Sequence, residues 1–353
     1  MDDCEMCQMW RERGAKFCSH CGKALDPVPP VEKKDDFGIL HLFLLLTITV
    51  VVFIVVNNLV YCIVNFGGIS ADISSNLTVA VYVPLGIDDL ILTRLRGTAV
   101  SVIFALDLVI IGVCLAYAVY SFYRGYMNEQ ATGDADCTEK TGLVGCSTIL
   151  AVSLLLSIIY IMMTAVSGNT PDSSWMSSYT DFEMVFRLTR AGVIEEVMYR
   201  VFWIGVPMVV IALIVARNSR CWQFLLGGFG MSKTAFILLV VSSVLFGLAH
   251  LNGWGWSKVP DAALGGLLFG YIYIQYGLYA SILAHCAIDV MSTIGYTIGT
   301  GVQSLALLGL MFLGIITLIS WFIKPNMDAV DIRRMKNFPD KLEVNLLDQW
   351  KRY

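Results

Sequence analysis

Runs of about twenty apolar residues recur along this chain and limit its fold more than any other feature. A helix hides its own backbone polar groups, so such runs read as membrane crossings. In order they fall at about 39–64, 98–122, 143–166, 190–216, 234–254, 260–277, 280–299 and 303–323. The sequence therefore predicts an all-α polytopic membrane protein with about eight transmembrane helices. With 57% hydrophobic and 15% charged residues and a mean hydropathy of +0.70, the chain is not a soluble globular protein. A net charge of −4 gives no footing for nucleic acid as a partner. The basic residues lie between apolar runs: Lys33 and Lys34 before the first, Arg217, Arg220 and Lys233 between the fourth and fifth, and Lys324, Arg333, Arg334 and Lys336 in the tail. That distribution puts both termini in the cytosol, although Arg94 and Arg96, in a loop placed outside, count against it. The opening residues include Trp10, Arg11, Glu12, Arg13 and Lys16 where a signal peptide would be apolar, so the first run is expected to stay as an uncleaved span. The 65–97 loop has room for a re-entrant or interfacial piece, and 178–190 has the mixed pattern of an interfacial amphipathic helix.

Ten cysteines fall into two populations. Six are scattered, whereas Cys4, Cys7, Cys18 and Cys21 form two Cys-x-x-C pairs, the second followed by Gly22. Two such pairs suit a tetrahedral zinc site, with glycine permitting the tight turn that aims amides at sulfur. Residues 1–25 are thus expected to be a zinc ribbon whose folding free energy comes largely from a structural zinc ion. A redox dithiol pair and disulfides are the other readings; both are less natural for a terminus expected to be cytosolic. His20 is expected to face solvent. Residues 26–38, Pro-rich and charged, read as a linker, 39–323 as the membrane domain, and 324–353 as a cytosolic tail.

Three polar constellations interrupt the apolar runs. The first is Glu195-Glu196-x-x-x-Arg200, at the head of the fourth span. A charge near the bilayer centre costs roughly 2.5–3.5 kcal/mol on insertion scales, so such residues are functional candidates by default. Glu196 and Arg200, four apart, share a helix face and neutralise each other, while Glu195 is turned about 100° away and stays uncommitted. In the fifth span Phe246 and His250 stand one turn apart, and in the seventh His285 and Asp289 have the same spacing. A lone histidine in a helix is as readily a satisfied core residue as a functional one. Two of them, on helices that accompany Glu195 and Glu196, argue for one site. Gly265, Gly266 and Gly270 of the sixth span read as close-packing positions, and Trp254, Trp256 and Tyr279 as an interfacial aromatic belt, with a wall for a lipidated substrate as the sharper alternative.

The ordered triple resembles the signature of the CPBP or Abi intramembrane proteases, the type II CAAX prenyl endopeptidase family, over about residues 180–300. The chemistry of the residues fits water-mediated amide hydrolysis. Glu195 would take a proton from water, His250 would hold that water, and His285 would donate to the developing oxyanion. The resemblance implies the same roles, with Glu196 and Arg200 as a structural pair and Phe246 in support. Its third motif often ends in asparagine where this chain has Asp289, which either stays protonated or orients His285. Two histidines and a glutamate are also a competent zinc set, but without H-E-x-x-H a metal-free glutamate mechanism is favoured over a metalloprotease.

Counting spans sets His250 near one membrane face and His285 near the other, so they meet only if the short sixth segment is tilted or re-entrant, or if both helices extend beyond these runs. The expected activity is endoproteolysis of a membrane-associated peptide or protein substrate, with a prenylated CAAX-type protein as the lipidated version. The alternative is a non-catalytic immunity or tethering protein whose ribbon recruits a protein partner, and a proton-relaying transporter is disfavoured by the lack of inverted repeats.

Overall fold

The computed structural model describes residues 4, 6–12, 17–18, 20–21, 23, 25, 39–85, 89–133, 136–216 and 221–323. The linker expected at 26–38, the tail at 324–353 and several of the basic flanking residues lie outside them.

Among the described residues seven helical segments are long and apolar enough to cross a membrane, which makes this an integral, multi-pass membrane protein. They are built on α1 (Ile39–Val64), α3 (Thr98–Thr132), α4 (Gly142–Val166), α5 (Asp181–Glu196), α6 (Lys233–Ala249), α8 (Leu278–Asp289) and α9 (Thr300–Ile323), with α2 (Phe66–Asn76) between the first two. The sixth expected span does form a helix, α7 (Val259–Tyr276). It is not one of the seven, because Pro260, Asp261, Gln275, three glycines and three tyrosines dilute its leucines and isoleucines. Large side chains such as Val113, Met162, Ile214 and Phe312 face outward, as lipid-facing helices require.

Three segments differ from the sequence expectation. The 65–97 stretch, expected as a loop, is mostly regular structure: after α2 the chain forms an antiparallel hairpin of β1 (Thr78–Pro84) and β2 (Asp89–Arg96), with Thr78 opposite Arg96 and a bulge at Val81/Tyr82. Gly97, at a φ of 61° closed to most L side chains, turns β2 into α3. Next, the helix expected at 178–190 to lead into the glutamates starts at Asp181 and is continuous with them as part of the fourth span. Thr180 accepts from the Glu183 backbone while Glu183 accepts from the Thr180 backbone, a capping box that starts α5 at Asp181 and runs it unbroken to the glutamates. Two of its polar residues are met inside the protein, Arg190 by Asp107 of α3 at 3.3 Å and Thr189 by Asn58 of α1 at 3.1 Å.

Finally, the fourth span is not a uniform α-helix. Val197–Gly205 is π-helical, with the Val206 amide donating to Val201 O. Pro207 follows, and its missing N–H and bulky ring disfavour the ordinary ladder at that place.

The centre of the molecule is α8, the most buried of the seven spans. It packs on α5 at Gly192, where an added Cβ would stand 2.6 Å from Cys286 Cα. Backbones this close bring Ser281 and His285 of α8 against the two glutamates. On the other side α6 crosses α7 at Gly247, Gly266 and Gly270, whereas Gly265 has only ordinary contact.

Candidate active site

Glu195 and Glu196 end α5 and point into different surroundings. Glu196 is wholly buried: its Oε2 lies 3.2 Å from Arg200 Nε, an ion pair off the line of the N–H, and it accepts from Ser281 Oγ and from His285 Nδ1 at 2.7 Å. Arg200 is equally buried, and its Nη1 donates to Ser242 Oγ at 3.4 Å while Ser242 donates to Tyr199 O. Glu195 retains 25% side-chain exposure. It opens onto a cavity of about 370 Å³ that is also lined by His250, His285 and Asp289.

Three carboxylates surround His285. Besides Glu196 at Nδ1, its Nε2 lies 3.4 Å from Asp289 Oδ2 and 3.6 Å from Glu195 Oε2. A carboxylate paired with arginine only accepts, so Nδ1 carries a proton and Nε2 is the atom turned toward the cavity carboxylates. The ring stacks on Phe269, with centroids 4.7 Å apart and planes 20° from parallel.

His250 caps the C-terminal end of α6. Its Nδ1 lies 2.8 Å from Phe246 O, an acceptor, so Nδ1 bears the hydrogen and Nε2 is left as the accepting nitrogen. Phe246 joins the halves of the site. Its ring edges against His250 at 4.8 Å, His285 at 5.8 Å and Tyr199 at 5.1 Å, and the Arg200 guanidinium sits 5.0 Å from its centre. The two histidines therefore line one cavity despite the span count. The helix between them, α7, has only 18 residues, and Asp289 lies a further turn along α8.

Several lining groups have no counterpart in the sequence reading. Leu77 and the β1 residues Thr78, Val79, Ala80 and Tyr82 form one wall. The hairpin is held there by Trp203 of the π-helical stretch, whose Nε1 donates to Pro84 O at 3.0 Å. Trp175 and Trp254 line the cavity with rings 5.1 Å apart, the wall reading for Trp254, whereas Trp256 is exposed. Arg187 and Arg190 of α5 also line it. Alternating β-branched residues at 78–83 and a cation within a span were the available signals. Ser281 and Phe269 gave none, because small polar and aromatic residues abound in such helices.

Away from this cavity, Cys4, Cys7, Cys18 and Cys21 bring their sulfurs within 4.8 Å of one another, close enough to share a metal ion. Among the described residues this is the one cluster of three or more such ligands that converges so. Cys7 is pushed up to about 12 by burial and then by the neighbouring Cys4 and Cys21 thiols. For Cys18 burial acts upward, but hydrogen bonds from the Cys21 and His20 backbones outweigh it and bring the thiol down to about 6.

No curated protein and no solved structure matches the chain. A family model does match, over a segment that includes the Glu195–Arg200 stretch, Phe246, His250, His285 and Asp289 and leaves the cysteine module and the first helices outside. That segment, residues 178–291, is similar to the family described as type II CAAX prenyl endopeptidase Rce1-like.

Proposed function

We propose that this protein is an intramembrane endopeptidase that hydrolyses a peptide bond of a membrane-associated, CAAX-type substrate with a water molecule activated by Glu195 and His250. The observation that carries the reading is the convergence of Glu195, His250, His285 and Asp289, from three helices, on one half-open cavity.

In this mechanism water donates one hydrogen to Glu195 and the other to His250 Nε2. As its oxygen attacks the scissile carbonyl, Glu195 takes the proton, and the carbonyl π electrons move to oxygen. His285 carries both ring protons, donating Nδ1–H to Glu196 and Nε2–H to the oxyanion. When the C–N bond breaks, Glu195 returns its proton to the leaving amine. Asp289 positions His285 from 3.4 Å, the orienting role rather than direct oxyanion donation. Glu196 and Arg200 are positioning residues that fix the His285 ring and the helix. No metal ion enters the mechanism.

The cysteine module is the proposed home of a structural zinc ion. Its neighbouring sulfurs stand 3.5, 3.7 and 3.5 Å apart. Four thiolates about 2.3 Å from zinc in a tetrahedron would stand about 3.8 Å apart, so the donor set and spacing fit. The module is cytosolic in this reading, where it is free to bind a protein partner.

The test is exposure of a mixed peptide library, prenylated and plain, to the detergent-purified protein, with products mapped by mass spectrometry. Endoproteolytic products enriched among the prenylated members are expected. A library left intact, under conditions where the protein remains folded, would favour a non-catalytic role.

A further inference from the structure

Two arginines one turn apart on α5 line the cavity. Arg190 is engaged by Asp107 at 3.3 Å. Arg187 meets no carboxylate among the described residues: its guanidinium carbon lies 3.8 Å from the centre of the Tyr179 ring, and its Nε is buried without a hydrogen-bond partner. Tyr179 belongs to an aromatic wall, with Trp175 edged against it at 6.0 Å and Trp254 beyond at 5.1 Å. The ring holds one face of the guanidinium and leaves its in-plane N–H donors unmatched. A fixed, planar cation at the edge of a cavity is suited to a carboxylate, which it can take with two parallel hydrogen bonds.

We propose that Arg187 is the subsite for a carboxylate of the substrate, and that it sets how far from that carboxylate the chain is cut. The proposal rests on the endopeptidase reading of the same cavity. Arg187 and Glu195 both line the cavity and stand eight positions apart on one regular helix, about 12 Å along its axis. An extended peptide advances about 3.3 Å per residue, so a carboxylate held by Arg187 lies about three to four residues beyond a bond presented to Glu195. The charges enforce the direction. Glu195 and Asp289 repel an incoming carboxylate from the catalytic end, and the cation waits at the other. A chain terminus and an acidic side chain both supply the required group, and the experiment separates them.

The probe is a fluorescein-labelled peptide with a farnesylated cysteine fourth from its end, made as the free acid, as the C-terminal amide, and as the amide with glutamate in last place. Binding is read by anisotropy on the full-length protein in detergent, and cleavage of each peptide in parallel. Wild type is expected to bind the acid about tenfold or more tightly than the plain amide. Arg187→Gln is expected to bind both as wild type binds the amide, and Arg187→Lys to retain part of the preference. Unchanged amide binding in Arg187→Gln shows that the site is still folded. In cleavage, Arg187→Gln is expected to raise KM for the acid by about the same factor with kcat little altered. The glutamate amide behaving like the acid assigns an acidic side chain to the subsite, and behaving like the plain amide assigns the terminus.

Equal binding of acid and amide by wild type, no binding of either, or a preference that survives Arg187→Gln overturns the proposal. Because binding is measured apart from hydrolysis, the two readings fail separately. An acid preference without cleavage removes the endopeptidase and keeps the subsite; cleavage without the preference does the reverse.

Discussion

Adjacent in sequence, Glu195 and Glu196 differ in what surrounds them, and in the proposed mechanism that difference divides their work. Glu196 has an arginine, a histidine and a serine within reach and no exposure. Glu195 has the cavity. Removing one member of a wholly buried ion pair strands the other charge, which costs about 3–5 kcal/mol. Arg200→Met is therefore expected to lower the midpoint of thermal unfolding in detergent strongly, with loss of activity following loss of fold; a variant that melts like wild type would show that Glu196 does not depend on Arg200. At Asp289 the expectation is graded. Asparagine keeps a polar oxygen beside His285 Nε2, so Asp289→Asn should hold the cleavage rate within about tenfold of wild type, while Asp289→Ala, which frees the ring, should lose about a hundredfold. Equal losses in both would mean that the aspartate acts through its charge. The principal polar groups of the cavity were legible because ionisable side chains stand out in apolar runs. Arg187 was hidden because its stretch was read as interfacial, and Ser281 because a hydroxyl in a span is unremarkable until a carboxylate is found beside it.

Helix geometry decides whether these residues meet. The α5–α8 crossing depends on Gly192, since a side chain there would be driven into the Cys286 backbone. Gly192→Val should destabilise the fold by about 1–3 kcal/mol and reduce cleavage even in the folded fraction, because it moves His285 away from the glutamates. Gly265→Ala, in open packing, should leave both unchanged, and this pair of variants separates a specific close approach from a general preference for small residues. The start of α5 was readable from Thr180-Asp181-Phe182-Glu183, a capping-box pattern that lies well before the apolar run of the fourth span begins. The hairpin was less so. Its strands carry the alternation and β-branched residues expected of them, yet lie in a chain whose long-range pattern is wholly helical. The π-helical stretch leaves only Pro207 as a trace in the sequence, and proline alone does not distinguish a π-bulge from a kink.

At the scale of the whole molecule, two units of different chemistry share one chain. The cysteine module is read as holding metal for its own fold, and the membrane helices as holding a metal-free site, so the two should respond separately. Chelation, or Cys4→Ser with Cys7→Ser, is expected to remove zinc at about one ion per chain, measured by atomic absorption, and to leave the thermal midpoint of the membrane helices in place. Acid should act on the module in the same direction. Zinc holds the sulfurs as thiolates, so protons compete with the metal and zinc retention should fall as the pH is lowered from 7 to 5. Zinc loading that is flat from pH 7 to pH 5 would contradict this.

In the proposed mechanism Glu195 activates the water that cuts the substrate, with no ion at the cavity. The test is the cleavage rate of one library-selected peptide by purified wild type, by wild type after zinc chelation, and by Glu195→Gln. Chelated wild type is expected to match the untreated enzyme, while Glu195→Gln loses about a thousandfold or more and still binds the peptide. Cleavage that survives Glu195→Gln, or that disappears with the metal and returns with added zinc, would contradict the account.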